Sequence, residues 1–166
     1  MRIRPATAGD VPAITELYNA LIPTTTVAWT EEPDSVDSRS QWFHDQIAAD
    51  RPVLVAEIDD VVVGFTTYTW FRGEGRWPGY RHTVEHTIHV AERAWGHGVG
   101  RALLEALMVE AAERGVHVMV GAVDADNVES IRFHERLGFV QTARMPEVGR
   151  KFDRWLDLVL MQRVLD

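Results

Sequence analysis

The sequence predicts an α/β chain built on a mixed, mostly antiparallel central sheet with helices on both faces. Two patterns carry that prediction. Apolar residues recur at helical spacing in some segments and alternate with polar residues in others. One run, 116–123, is apolar almost throughout, as expected of a strand covered on both faces. The chain has 166 residues, 46% hydrophobic and 25% charged. One core suits that length, so a single domain over 1–166 is expected.

In chain order the reading is β-α-α-β-β-β-α-β-α-β-β. Residues 2–4 form a short strand. Asp10 stands where it can cap a helix whose apolar positions are Val11, Ile14, Leu17, Tyr18 and Leu21, and Pro12 is tolerated in its first turn. A threonine-rich loop from Pro23 to Pro33 leads to a helix over 35–49, with Trp42, Phe43 and Ile47 as its apolar stripe. Strands follow at 53–58, 61–70 and 81–90. Asp59-Asp60 joins the first two as a tight hairpin, and the glycine-rich stretch 72–80 is a loop. A helix over 98–114 buries Val99, Leu103, Ala106, Leu107 and Ala111, and Gly115 takes the position of a C-terminal cap. After the 116–123 strand, Asp126-x-x-Glu129 resembles a capping box that opens a short helix ending at Leu137-Gly138. Two strands, 139–146 and 155–163, complete the sheet.

The formal net charge of −8 argues against a nucleic-acid or anionic-membrane partner, because both want a basic face. The absence of cysteine excludes a disulfide, a thiolate nucleophile and a Cys-ligated metal. No apolar run is long enough to span a bilayer, and residues 1–5 do not read as a signal peptide, so a cytoplasmic location is expected.

Three segments carry chemistry. Trp95-Gly96-His97-Gly98-Val99-Gly100-Arg101 places glycines at alternate positions just before a helix. Such a loop lets a ligand approach the backbone, and the helix N-terminus offers unpaired N–H groups to a phosphate. The spacing is neither G-x-G-x-x-G nor a loop ending in G-K-[ST]. The 81–90 strand sets Val84, Ile88 and Val90 on one face and Thr83, Glu85, Thr87 and His89 on the other; that polar face lines a cleft or meets solvent. His86 and His89 point to opposite faces, so the histidines of this strand do not chelate together and no metal is expected. The third segment is Asp126-Asn127-x-x-Ser130-x-x-Phe133-His134-Glu135-Arg136-Leu137-Gly138-Phe139. On the residues alone, Asn127 is a helix cap or a ligand contact, and His134 a half-buried histidine or a catalytic one.

The x-G-x-G-x-G loop resembles the acyl-CoA pyrophosphate loop of the GCN5-related N-acetyltransferases. The third segment resembles the N-x-x-[AS]-x-x-x-[Y/H]-x-x-x-G-[FY] helix of the same superfamily. Thr83-Val84-Glu85-His86, Thr24-Thr25-Thr26, Trp29 and the segment from Met145-Pro146-Glu147-Val148-Gly149 to Gln162 are similar to the phosphinothricin/methionine sulfoximine acetyltransferase branch, so the resemblance spans about 2–163. Two residues depart from the usual pattern: Trp95 replaces an Arg or Gln, and His89 replaces a Tyr. The loop 70–80 is also longer than is common there.

The resemblance implies a single acyl-CoA N-acyltransferase domain, in which two parallel strands splay apart and pantetheine pairs with the exposed edge. It implies acetyl-CoA as cosubstrate, a homodimer, and transfer of acetyl to the α-amine of a small acceptor such as phosphinothricin, methionine sulfoximine or methionine sulfone. With no cysteine, direct attack in a ternary complex is the expected path. Glu85 is then the general base and His134 the group near the departing sulfur. Ile88, His89 and Val90, with Trp95, Gly96, His97, Gly98, Val99, Gly100, Arg101, Asn127 and Ser130, are expected at the cofactor. Arg72, Arg76 and Arg81 are expected to take the acceptor's carboxylate, with Trp29, Trp70 and Tyr80 around its side chain. Alternatives are another amine (a peptide N-terminus, a polyamine, an aminoglycoside) or an inactive CoA-binding module.

Overall fold

The computed structural model describes residues 1–73, 75 and 77–165. Among the described residues seven strands form one sheet in the order β1-β2-β3-β4-β5-β7-β6, and only the β4–β5 pair is parallel. The strands are β1 (Arg2–Pro5), β2 (Val53–Ile58), β3 (Val61–Trp70), β4 (Thr83–Val90), β5 (Val118–Asp124), β6 (Val140–Lys151) and β7 (Arg154–Val164). The helices are α1 (Val11–Ala20), α2 (Val36–Ala48), α3 (Val99–Glu113) and α4 (Val128–Arg136). One core layer packs Leu103, Leu104 and Leu107 of α3 against Met119 and Phe139. The other packs Ile14 of α1 and Phe43 of α2 against Val55 and Phe65.

Several elements differ from the sequence reading, each for a local reason. Asp10 does not cap α1 through its side chain. It ends a 3-10 turn (Ala8–Asp10), and its carboxylate accepts from the Thr7 N–H at 2.8 Å and pairs with Arg4 at 2.8 Å. Those contacts, the Arg4 pair first, hold the carboxyl down at about 2. In α2, Ile47 is 53% exposed. The inward position belongs to Gln46, whose amide donates to Thr67 Oγ1 at 2.7 Å and to the Tyr68 carbonyl at 3.1 Å. A polar side chain with matched partners is buried there in place of the expected isoleucine.

β4 begins at Thr83 rather than at 81, because a 3-10 turn over Pro78–Tyr80 takes the Arg81 N–H to the Pro78 carbonyl. The cap of α4 is Asn127, whose Oδ1 accepts from the Ser130 N–H at 3.1 Å. Asp126, one residue earlier, instead pairs with Arg154 at 2.8 Å. β6 runs on to Lys151 through an irregularity between Met145 and Gly149, and Phe152-Asp153 turns it into β7 with φ of 51° and 57°. Asp59-Asp60, with φ of 50° and 62°, makes the expected two-residue hairpin.

The feature that positions the site is the parallel pair. β4 and β5 register only at Thr83↔Val118, Val84↔Met119 and Glu85↔Val120, and then diverge. β4 stays paired with β3 along its whole length, so beyond Glu85 its other backbone edge is open.

Candidate active site

The divergence of β4 from β5 opens a cavity of about 370 Å³. Glu85, His86, Thr87, Ile88 and His89 of β4 line it, with Ala122, Val123 and Asp124 of β5, Leu158 of β7 and Asn127, Ser130 and His134 at α4. Thr26, Val27 and Trp29 of the α1–α2 loop complete the wall. Glu85 is the last paired residue before the strands part, and burial raises its carboxyl above the ordinary carboxylate range. A carboxylate so raised is a better proton acceptor near neutral pH.

His134 is buried, and its Nδ1 lies 2.7 Å from the Ser130 carbonyl. A carbonyl only accepts, so Nδ1 carries the proton. Its Nε2 lies 3.1 Å from His86 Nε2. With the His134 proton on Nδ1, His86 must be the donor in that contact. His86 Nδ1 is then a bare acceptor, buried and without a hydrogen-bond partner among the described residues. The two rings stack with centroids 5.1 Å apart, and Phe139 meets both edge-on. Gly121 of β5 makes room for the pair: a Cβ there would stand 2.9 Å from each Nε2. The period-two pattern puts His86 on the Val84 face of β4, but it does not say that α4 brings a second imidazole to meet it.

His89 faces the other side of the sheet, stacked on Phe65 at 5.2 Å and edge-on to Tyr18. Burial, joined by the nearby Arg39 cation, pushes its imidazole down to about 4; burial, joined by His134, pushes His86 down to about 3. The unfolded chain therefore takes these protons first as pH falls below the ordinary value of 6.5. Stability is full above that value and is lost on acidification, by about 2 kcal/mol per imidazole between pH 7 and 5. Urea unfolding of His89→Phe is expected to show a loss over that interval smaller than wild type by about that amount. Equal losses in the two proteins would contradict it.

The glycine loop lies between β4 and α3. Gly96 and Gly98 have φ of 77° and 78°, and nothing stands within 4 Å of where a Cβ would be. Gly100 faces Phe133, 3.3 Å from a Cβ position. Val99 is buried in the core, so only its backbone is available to a ligand. The Trp95 indole is exposed, yet its N–H donates to the Val90 carbonyl at 2.8 Å and closes off the end of the β4 edge. His97 Nδ1 lies 2.8 Å from the Trp95 carbonyl, and Arg101 pairs with Glu105 at 2.8 Å. Arg101 lines a second, more open depression of about 610 Å³ with Arg136 and Arg163, which holds neither Glu85 nor His134.

Of the residues expected at the acceptor, Trp29 lines the cavity and Arg72, Tyr80 and Arg81 do not; nor does Trp70, which packs against the core edge-on to Tyr68. Arg72 lies over the exposed Tyr80 ring at 5.4 Å, and Arg81 donates to the Pro78 carbonyl. Arg76 lies outside the described residues.

The model of the Acetyltransferase (GNAT) family matches residues 14–139. An L-methionine sulfoximine/L-methionine sulfone acetyltransferase of Salmonella typhimurium is 43% identical over 166 residues, 100% of this chain and 95% of that protein. The crystal structure of a ribosomal-protein-alanine N-acetyltransferase from Brucella melitensis superposes with a TM-score of 0.95 at 41% identity, over 99% of this chain and 100% of that one. The structure of yncA from Salmonella typhimurium, solved with its cofactor acetyl-CoA, superposes with a TM-score of 0.94 at 42% identity, over 99% of this chain and 94% of that one. A fold with parallel strands parting above a half-buried carboxylate, a glycine loop opening the next helix, and these matches along the whole chain lead to one assignment: the chain belongs to the acetyltransferase (GNAT) family.

Proposed function

We propose that the protein transfers the acetyl group of acetyl-CoA to the α-amine of a small L-amino-acid-like acceptor, such as methionine sulfoximine, methionine sulfone or phosphinothricin, in a ternary complex. The observation that carries this reading is the opening of β4 from β5 just beyond Glu85, with His134 on the same cavity. The fit to acetyl-CoA rests on the open β4 edge, which suits an extended amide chain. It rests also on the unobstructed left-handed glycines, Gly96 and Gly98, at the N-terminus of the 15-residue α3, which suit a pyrophosphate. In this reading the backbone of 95–101, with Asn127 and Ser130, holds the cofactor.

Acetyl-CoA supplies the thioester: its carbonyl carbon receives the amine and its sulfur leaves. Glu85 takes one proton from the acceptor's ammonium, which frees the lone pair for attack. Backbone N–H groups around Ile88–Val90 hold the carbonyl oxygen as negative charge develops on it. His134 is neutral, since burial lowers its imidazole against the partial offset of the Ser130 hydrogen bond. Its Nε2 takes the second proton of the attacking nitrogen and passes it to the sulfur, with the His86 N–H giving way. Protons balance: one ends on Glu85 and one on the thiol.

Arg72 and Arg81 are assigned to the acceptor's carboxylate and Tyr80 to its side chain, either by turning inward or from a second copy of the chain. A homodimer is part of the proposal. The edge strand β6 exposes Val140, Met145 and Val148, and Trp155 beside it on β7 is 60% exposed. The cytoplasmic location is likewise part of the reading. No described helix is long and apolar enough to cross a membrane.

A second reading, a peptide N-terminus as acceptor, has its support in the Brucella relative. Comparing an amino-acid acceptor with its methyl ester and its decarboxylated amine separates the two. Loss of the carboxylate is expected to lower kcat/KM by about tenfold or more, as for a charge-assisted bidentate contact. An unchanged kcat/KM favours the peptide.

A further inference from the structure

The segment around Gly149 and Lys151 takes no part in the chemistry above, yet it makes hydrogen bonds across 121 to 126 positions of sequence. Lys151 is only 2% exposed. Its ammonium donates to the Thr25 carbonyl at 2.8 Å and to the Ala28 carbonyl at 2.6 Å. At the hairpin tip, the Phe152 N–H donates to the Glu31 carboxylate at 3.0 Å. A buried ammonium is tolerated only when acceptors are brought to it, and here two carbonyls of an irregular loop are those acceptors. The contacts fall on both sides of Trp29. On β6, a Cβ at Gly149 would run into the six-membered ring of that indole. Trp29 faces the cavity that holds Glu85, as do Thr26 and Val27, which lie between the two carbonyls that Lys151 holds.

We propose that the β6–β7 hairpin sets acceptor selectivity: Gly149 provides the seat of the Trp29 indole, Lys151 pins the loop backbone just before it, and the Phe152 N–H holds Glu31 just after it. The hairpin thereby fixes one wall of the cavity against the acceptor's side chain. Gly149 and Lys151 are positioning residues, since neither lines the cavity and both act through Trp29. The inference rests on the acetyl-transfer reading for its effect on acceptors, but the seat itself does not.

The test measures kcat and KM for amino-acid acceptors of increasing side-chain length in wild type, Gly149→Ala, Trp29→Ala and the double variant. Gly149→Ala is expected to raise the KM of the best wild-type acceptor by about tenfold and to change the preferred side-chain length, because a displaced wall misaligns what it holds. The KM for acetyl-CoA is expected to stay within about twofold, as is any further change when Gly149→Ala is added to Trp29→Ala. Additive effects of the two substitutions, or an unchanged order of acceptors, would overturn the proposal. In parallel, protein labelled with 5-fluorotryptophan gives a ¹⁹F resonance for Trp29, assigned by its loss in Trp29→Phe. Gly149→Ala and the milder Lys151→Met are both expected to shift or broaden it, and no change in either removes the seat. If wild type turns over no amino acid while the resonance still responds, the acetyl-transfer reading has failed and the seat stands.

Discussion

Glu85→Gln is expected to lower turnover by about 10²–10⁴-fold, the usual worth of a positioned general base. Glutamine keeps the shape of the side chain and removes only its capacity to take a proton. Glu85 closes the paired part of β4–β5, whereas the glycine loop is built on the N-terminus of α3, so acetyl-CoA affinity should change little. The pH dependence gives the sign. Burial raises the Glu85 carboxyl, and the base works only when ionised. Activity therefore falls as pH drops through the raised value, and the acid limb of kcat/KM lies above the ordinary carboxylate range. In Glu85→Gln that limb disappears. A variant with near-wild-type turnover and the same acid limb would remove Glu85 from the chemistry.

Gly121→Ala is expected to lower both stability and turnover. Its Cβ would stand 2.9 Å from Nε2 of His134 and 2.9 Å from Nε2 of His86, and neither ring is free to move. His134 is tied at Nδ1 to the Ser130 carbonyl, and Phe139 packs edge-on against both rings. Overpacking of this kind costs about 1–3 kcal/mol of stability. The displaced His134 ring should lower kcat by about 100-fold, the effect of a misplacement near 1 Å. Thermal unfolding and steady-state kinetics on the same preparation measure both. Wild-type stability together with wild-type turnover would show that the His86–His134 contact carries neither.

Where one periodicity ruled a segment, the sequence was readable. Of the expected α3 stripe, Val99, Leu103, Leu107 and Ala111 are buried and Ala106 is half-buried, and the polar face of β4 lies partly on the cavity. The Asp59-Asp60 turn follows from local backbone preference and came out as expected. What periodicity missed depends on contacts made from elsewhere in the chain. Gln46 outcompetes Ile47 for the interior because β3 presents Thr67 Oγ1 and the Tyr68 carbonyl to it. Lys151 is buried because the 25–28 backbone brings two carbonyls to it from more than a hundred residues away. β6 reads as ending early because it alternates poorly, carries Pro146 and is exposed over most of its length. At the site, the strand pattern gave the faces of His86 and His89 correctly. The partner of His86 required knowing where α4 packs, and neither imidazole announces from sequence that it is buried and neutral.

Acetyl transfer to an amino acid's α-amine within the β4–β5 cavity is tested by incubating the protein with acetyl-CoA and methionine sulfone, following free thiol, and identifying the product by mass and NMR. One thiol is expected per α-N-acetyl product, with release lost in Glu85→Gln. Binding of acetyl-CoA without thiol release for amino-acid analogues, polyamines, aminoglycosides or peptides would contradict it and leave a CoA-binding module.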